Sequence, residues 1–145
     1  MKDWRQELSS IVEGKTRMTR AEKENAAFES FLNRVAVPAL RQLAEELCKL
    51  GRETTVRDAP ASAILTVNNG AIAEVIFRVV KRHVPTGILP HAEVRLTKGQ
   101  RFVNYDSSLI DDNSSHALED VTQEDIINCF IKFYRTISNG DQAGN

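Results

Sequence analysis

The spacing of apolar residues changes twice along this chain, from a helical period to an alternating one and back. In the first segment Trp4, Leu8 and Ile11 lie three or four positions apart, which places them on one side of a helix. The pattern is interrupted at Gly14 to Thr16. The sequence therefore predicts a short amphipathic helix within an N-terminal helical arm of residues 1–18.

A second apolar stripe predicts one long helix over residues 20–50. It follows Thr19 and Glu22, which have the spacing of a capping box, and it stops at Gly51, a residue type that commonly follows the last helical turn. Pro38 falls inside this stripe, has no amide hydrogen and crowds the carbonyl of Arg34. We expect a kink or a new helix start at Pro38.

The length of this helix predicts an overhang. At 1.5 Å per residue, residues 20–50 would extend about 46 Å, whereas a compact domain of this chain length measures about 38 Å across. The first two turns, which are rich in charged residues, are expected to project beyond the core. Either the N-terminal helix folds back on them or a second copy of the chain covers them, and the sequence leaves both alternatives open.

Alternation of apolar and polar residues predicts four or five antiparallel strands in the middle of the chain. The predicted strands cover residues 53–58, 63–67, 71–80, 91–97 and 101–105. Asn69 and Gly70, between the second and third strands, are typical of a type I′ turn, in which both central residues have a positive φ. The loop after Lys98 fits two, three or four residues, so the register of the last hairpin is left open.

The third strand has two different faces. One face is entirely apolar and is assigned to the core; it carries Ala73, Val75, Phe77 and Val79. The other face mixes charged and aliphatic side chains; it carries Glu74, Arg78, Arg82, Ile72, Ile76 and Val80. We expect this second face to be only partly covered.

A last helix is predicted to run up to Ile137. Thr122 and Asp125 form its N-terminal cap, and Val121 and Ile126 can pack together across that cap. Residues 138–145 are expected to be a flexible tail. The predicted fold is a two-layer α+β domain over residues 19–137, with N-terminal helices, an antiparallel meander sheet of four to five strands and a C-terminal helix.

Composition excludes several classes of protein. Of the 145 residues 41% are hydrophobic and 27% are charged, as in an ordinary globular domain, so a disordered or collagen-like chain is excluded. No apolar run approaches the roughly 20 residues that a membrane helix needs. The charged N-terminal segment predicts a cytoplasmic protein. Cys48 and Cys129 each lie in a predicted helix beside apolar residues, which predicts two reduced and buried thiols.

The net charge of -1 conceals an uneven distribution. Residues 78–101 hold six Lys/Arg and one acid, whereas residues 106–125 hold seven acids and neither Lys nor Arg. If the third and fourth strands are neighbours, Arg78, Arg82 and Arg95 share one basic sheet face. Such a face would bind an acidic protein, an anionic ligand or the acidic loop of a second copy. Alternatively, the two charged segments neutralise each other within one chain.

Two further functions are compatible with this face, binding of nucleic acid and acid–base catalysis. Binding of nucleic acid is the second alternative function. The nearby aromatic residues are Phe102 and Tyr105, and they form no recognisable base-stacking motif, which argues against it. His83 and His91 could approach each other across a hairpin, with Asp106 on the next strand, as an acid–base pair. No histidine pair has the spacing of metal ligands, so neither a metal nor a cofactor is predicted.

The leading hypothesis is a small cytoplasmic, non-enzymatic interaction or ligand-binding module that self-associates as a homodimer. Its expected binding residues combine aliphatic, basic and aromatic side chains on the partly covered face: Ile76, Val80, Arg78, Arg82, Arg95 and Tyr105. The alternative is a small hydrolase-like enzyme with a His/Asp site on the same face. Such an enzyme requires the three candidate side chains to converge in a concave pocket.

Overall fold

The computed structural model describes residues 3–16, 19–59, 61–85, 87–109 and 118–143, without the side chains of residues 12–16, 119 and 138–143. Its helices are α1 (Trp4–Thr16), α2 (Arg20–Phe31), α3 (Val37–Lys49) and α4 (Gln123–Ala143), with a π-helical segment at Leu32–Ala36 and a short 3-10 helix at Leu118–Asp120. Its strands are β1 (Glu53–Ala59), β2 (Ser62–Asn69), β3 (Ile72–Val84), β4 (Gly87–Lys98) and β5 (Arg101–Ser108). Part of the acidic loop, residues 110–117, and the last two residues of the predicted tail lie outside the described residues.

The five strands form one antiparallel sheet in the order β1-β2-β3-β4-β5, which confirms the predicted α+β class and meander. Helices α3 and α4 pack on one face of this sheet. The expected core face of β3 is confirmed for Val75, Phe77 and Val79, which are fully buried, whereas Ala73 is half-buried and lies opposite Asn68. The ring of Phe77 meets that of Phe130 in α4 nearly edge-on, with the ring centroids 5.7 Å apart.

The turn between β2 and β3 lies one residue later than predicted. Asn69 pairs with Ile72, so the two central residues are Gly70 and Ala71. Of these only Gly70 has a positive φ, 64°, and a type I′ turn is therefore not formed. A turn that needs a positive φ only at its first central residue is satisfied by a single glycine, and Asn69 keeps an ordinary strand conformation.

A β-bulge then corrects the register of this hairpin. A two-residue loop pairs odd-numbered residues of one strand with even-numbered residues of the other, yet the buried residues of both β2 and β3 are odd-numbered. One extra residue in β3, Glu74, shifts the pairing so that Val67 lies opposite Val75. Both strands thereby turn their apolar side chains toward the helices.

The last hairpin closes through a two-residue loop, the shortest of the three lengths that the sequence left open. Lys98 pairs with Arg101, and Gly99 in the loop has a φ of 64°. This register sets buried Leu96 opposite Val103. Here no bulge is needed, because the core-facing residues are even-numbered on β4 and odd-numbered on β5.

Pro38 is accommodated by the π-helical segment and not by a new helix start. The segment connects α2 and α3 without interruption, and the amide of Val37 donates to the carbonyl of Leu32, five residues back. Because Pro38 has no amide hydrogen, the carbonyl of Arg34 lacks its usual helical donor. The side-chain amide of Gln123 in α4 donates to that carbonyl at 3.5 Å.

The predicted helix caps are confirmed. Thr19 Oγ1 accepts a hydrogen bond from the amide of Glu22 at 3.1 Å. Thr122 and Asp125 cap each other reciprocally, each side chain accepting from the other residue's amide. Gly51 follows α3 with a φ of 90°, the left-handed conformation that glycine adopts without strain.

The N-terminal half of α2, which was expected to project beyond the core, contacts the β3–β4 hairpin. The sequence-based alternatives, the N-terminal helix or a second copy, did not include this contact. Lys81 Nζ donates to Asn25 Oδ1 at 2.7 Å. The carboxylate of Glu24 lies so close to Gly87 that a Cβ there would be 3.5 Å from its Oε1. With 13 and 12 residues, β3 and β4 are longer than the other strands, and their extra length carries the hairpin out to α2.

Two helices end later than predicted. The backbone of α1 stays helical past Gly14 to Thr16, and that of α4 continues past Ile137 to Ala143. Glycine and short polar residues weaken a helix without ending it when no competing turn forms. Among the described helices none is both long enough and apolar enough to cross a membrane.

The two cysteines have different surroundings. Cys129 is buried, as predicted, it forms no disulfide, and its Sγ lies 4.0 Å from the carbonyl oxygen of Ser108. Cys48 is exposed, so the prediction of a second buried thiol is wrong. The Sγ of Cys48 lies 3.1 Å from Thr54 Oγ1 of β1, and of its apolar neighbours in the sequence Leu47 is buried whereas Leu50 is exposed.

Candidate functional site

The sheet face that points away from the helices, called the bare face below, carries three rows of side chains across the strands. The rows are Thr55, Thr66, Ile76, Arg95 and Asn104; Arg57, Ile64, Arg78, Glu93 and Asp106; and Ala59, Ser62, Val80, His91 and Ser108. Apart from His91, every member of these rows is exposed or half-buried. The expectation of a partly covered face is met for the described residues.

At the centre of the bare face, aliphatic side chains surround an arginine. Ile64 lies opposite Arg78 on the neighbouring strand, and Ile76 and Val80 lie two residues before and after it on β3. The three aliphatic side chains are half-buried, and 51% of the Arg78 side chain is exposed. These four residues, called the arginine patch below, combine apolar area with an arginine, a residue type that is enriched at protein interfaces.

A groove of about 310 Å³ borders the arginine patch on the β4–β5 side. It is lined by residues of β3, β4 and β5: Ile76, Arg78, Glu93, Val94, Arg95, Asn104, Tyr105 and Asp106. Arg95 is held in place there, because its Nε donates to Asn104 Oδ1 at 3.1 Å and its guanidinium lies 5.6 Å from the centre of the Phe102 ring.

The bare face is of mixed charge and not uniformly basic. Arg78 and Arg95 share it as predicted, but Glu93 lies opposite Arg78, with 3.9 Å between their charged atoms. Asp106 lies opposite Glu93 on β5. Two guanidinium groups and two carboxylates therefore face the groove, which favours a ligand with both apolar and charged groups over a uniformly anionic one. Arg82 is exposed further along β3, toward the hairpin loop.

His91 is buried on the bare face. Its side chain is 10% exposed, and its Nε2 lies 3.4 Å from Asp106 Oδ1. Among the described residues Nε2 forms no hydrogen bond of acceptable geometry. Burial lowers the pKa of His91, and the nearby charge of Arg82 lowers it further, while Asp106 and Glu93 act in the opposite direction. The imidazole is therefore neutral near pH 7.

The structure does not bring His83 to this pair. His83 lies opposite Ile88, and His91 lies opposite Val80, so the two histidines are separated along the hairpin. They also belong to opposite faces, because His83 is an odd-numbered residue of β3 like core residue Phe77. Of the three candidate catalytic side chains, His91 and Asp106 come together.

Tyr105 lies on the helical side of the sheet. Its ring packs against Phe133 of α4, with centroids 5.4 Å apart, and its hydroxyl accepts a hydrogen bond from Lys98 at 3.0 Å. The ring therefore does not share the face of Arg78 and Arg95, although Tyr105 is among the residues that line the groove, and its role in binding stays a prediction. The open register of the last hairpin left the face of Tyr105 undetermined, since a one-residue slip moves a side chain to the other face.

Glu74 also faces the helices, contrary to the sequence-based assignment. Its Oε1 accepts hydrogen bonds from Arg52 Nε at 2.9 Å and from the Tyr134 hydroxyl at 2.8 Å. Burial and the Glu74 carboxylate raise the pKa of Tyr134, which keeps its hydroxyl protonated as a donor. This network was not predicted from the sequence. With a two-residue loop, the odd-numbered core residues on both β2 and β3 require one extra residue in that hairpin, and this requirement is the signal that could have indicated the bulge.

The lowered pKa of His91 predicts that the folded state becomes less stable as the pH is lowered. The unfolded chain binds a proton near the ordinary histidine value of about 6.5, whereas the folded chain resists it until a lower pH. We expect the free energy of unfolding to decrease as pH drops through about 6.5 and to level off below the folded pKa. Urea denaturation of the parent and His91→Gln at pH 8 and pH 5 measures the difference.

The matched control for this experiment is His83→Gln, which changes an exposed histidine. Its pH profile should run parallel to that of the parent, while His91→Gln should be flatter across the same interval. Parallel profiles for the parent and His91→Gln would contradict the burial of a neutral imidazole.

Comparison of the chain with models of protein families, with curated proteins and with solved structures finds no match. A functional conclusion must therefore be drawn from the bare face itself.

Proposed function

We propose that this chain is a cytoplasmic, non-enzymatic interaction module that self-associates through its bare face. The observation that carries the proposal is the arginine patch, in which three half-buried aliphatic side chains surround Arg78 on an open sheet face. A contiguous apolar patch with a central arginine is typical of a protein interface. Neither Cys48 nor Cys129 forms a disulfide, which is compatible with a reducing compartment.

The charges around the patch support a protein partner. Arg78 is half exposed beside Glu93 and can accept a second carboxylate from a partner, and the aliphatic residues can take apolar contacts. Glu93 and Asp106 on the same face repel a ligand of uniform negative charge, which argues against a nucleic acid backbone. A surface with apolar side chains beside a carboxylate complements Arg78 and the aliphatic residues. Helix α1 of a second copy carries such a surface, in which Glu7 lies beside Trp4, Leu8 and Ile11.

Replacement of Ile76 by aspartate is expected to abolish self-association, because it removes apolar area from the arginine patch and puts a hydrated charge there, opposite Arg95. Sedimentation velocity over the micromolar range should show a dimer for the parent chain and a monomer for Ile76→Asp. Arg78→Ala, which removes an exposed side chain and little of the fold, should weaken the dimer at least about tenfold.

Ile131→Asp is the matched control, because Ile131 is an isoleucine exposed on α4, away from the bare face. It should sediment as the parent does, and circular dichroism should show that all three variants keep their folded structure. A parent chain that is strictly monomeric, or an Ile76→Asp variant that dimerises like the parent, would refute the proposal.

The second candidate function is hydrolysis at the His91–Asp106 pair. The pair lies beside the groove, which Asp106 helps to line, and a neutral imidazole next to a carboxylate has the composition of a general base. Against it, Nε2 of His91 is sealed from solvent, so a substrate cannot reach it without movement of the surrounding residues. Turnover of a generic ester substrate that is lost in His91→Gln would favour the enzyme.

A further inference from the structure

Helix α1 carries an apolar stripe that is exposed. Trp4, Leu8 and Ile11 lie on one side of the helix, and they are 65%, 53% and 50% exposed. Glu7 follows Trp4 by three positions and precedes Ile11 by four, so its carboxylate borders the stripe. The chain thus exposes two separate apolar surfaces, the α1 stripe and the arginine patch.

In the single chain the α1 stripe does not dock on the arginine patch, since its three apolar side chains are at least half exposed. Four Cα–Cα steps join Thr16, the end of α1, to Arg20, the start of α2, and span at most about 14 Å. The first turns of α2 lie on the helical side of the sheet, where Asn25 contacts Lys81. A helix packed on the bare face would lie about 20 Å from α2, because each packed layer is about 10 Å from the sheet. Thr16 therefore cannot lie in that layer.

The α1 stripe and the arginine patch match in length and charge. From Trp4 to Ile11 the stripe extends about 10 Å along the helix axis, and from Ile76 to Val80 the patch extends about 13 Å along β3. The stripe is bordered by Glu7 and by Arg5, whose guanidinium lies 5.4 Å from the centre of the Trp4 ring, and the mixed charges of the bare face offer each an opposite charge, Arg78 for Glu7 and Glu93 for Arg5. Arg57 and Arg82 add further positive charge at the edges of the patch.

We infer that α1 is an exchange arm, whose apolar stripe docks on the arginine patch of a second copy while the second copy's α1 docks on the first. The inference rests on the proposed function and names the segment that occupies the bare face. Two-fold symmetry forms both contacts at once, so one association buries both apolar surfaces of each chain. Docking of α1 on the arginine patch then accounts for the apolar side chains on a sheet face that no helix of the same chain covers.

Trp4 provides a direct readout, because it is the only tryptophan in the sequence. Its indole is exposed in the single chain and becomes buried when the arm docks on a second copy. The emission maximum of the full-length chain is expected to shift to shorter wavelength as protein concentration rises through the dimerisation range seen by sedimentation. Ile76→Asp should keep the emission of an exposed indole at every concentration.

Leu8→Asp tests the arm itself and should weaken the dimer at least about tenfold. Gln6→Asp, on the opposite side of α1, is the matched control and should dimerise like the parent. Both positions are exposed, so neither substitution disturbs the core.

The outcomes separate this inference from the proposed function. A dimer that is lost in Ile76→Asp but retained in Leu8→Asp, with Trp4 emission independent of concentration, would overturn the exchange arm and leave the bare face as the interface. A blue-shifted emission already present in a monomer would also overturn it, since the arm would then dock within its own chain. A dimer that is insensitive to Ile76→Asp would refute both.

Discussion

Truncation of Phe77 to alanine is expected to lower the free energy of unfolding by about 3–5 kcal/mol. Phe77 is fully buried at the centre of β3, and its ring packs edge-on against Phe130 of α4. The substitution removes the apolar area of the ring and leaves a cavity that the sheet and helix cannot close. Because whole domains are stable by only about 5–15 kcal/mol, this one change removes a large share of the total.

Phe102→Ala is the matched control for Phe77→Ala. Phe102 is 66% exposed on the bare face, and its truncation should change the free energy of unfolding by less than about 0.5 kcal/mol. A double-mutant cycle between Phe77 and Phe130 should give a coupling of about 0.5–1.5 kcal/mol for the aromatic pair. Urea denaturation measures all of these values, and a cost for Phe77→Ala no larger than that for Phe102→Ala would contradict the assignment of the core face.

Replacement of Glu74 by alanine is expected to cost about 2 kcal/mol of the free energy of unfolding. The Glu74 carboxylate is 14% exposed and accepts hydrogen bonds from Arg52 and Tyr134, so its loss leaves a partly buried guanidinium and a partly buried hydroxyl without their shared acceptor. Those two donors belong to the segment before β1 and to α4, and the network therefore anchors the bulge in β3 to both sides of the helical layer.

Glu46→Ala is the control for Glu74→Ala. Glu46 forms its ion pair with Lys49 on the surface of α3, where both side chains are more than half exposed, and its loss should cost less than about 0.5 kcal/mol. Thermal denaturation of both variants compares the two pairs under the same conditions. Equal effects would contradict the conclusion that burial and the second donor, Tyr134, make the Glu74 network the stronger one.

Both variants also affect the proposed interface through β3. Phe77 lies between Ile76 and Arg78 in the sequence, so the same strand presents its core residue to the helices and its patch residues to the bare face. The bulge at Glu74 determines which residues of β3 point to each face. Loss of self-association in Phe77→Ala or Glu74→Ala would therefore follow from loss of the fold and is no evidence about the interface. Ile76→Asp and Arg78→Ala test the interface because they change the outer side chains.

Several features of the candidate site were predictable from local sequence. Alternation along β3 assigned Phe77 to the core and Ile76, Arg78 and Val80 to the other face, because successive strand residues point to opposite sides. The position of Tyr105 was not predictable, because three loop lengths after Lys98 satisfied the same local pattern. Only the pairing of Lys98 with Arg101 selects one of them.

The sequence by itself determined the order of helices and strands, the helix caps at Thr19 and Thr122, and the apolar face of β3. These depend on contacts between residues close in the chain, and the residue types there suffice to specify them. The tertiary structure alone decided the burial of His91, the bulge at Glu74 and the separation of the α1 stripe from the bare face. Each of these depends on which distant segments lie side by side, and that choice is made by the packing of the whole domain.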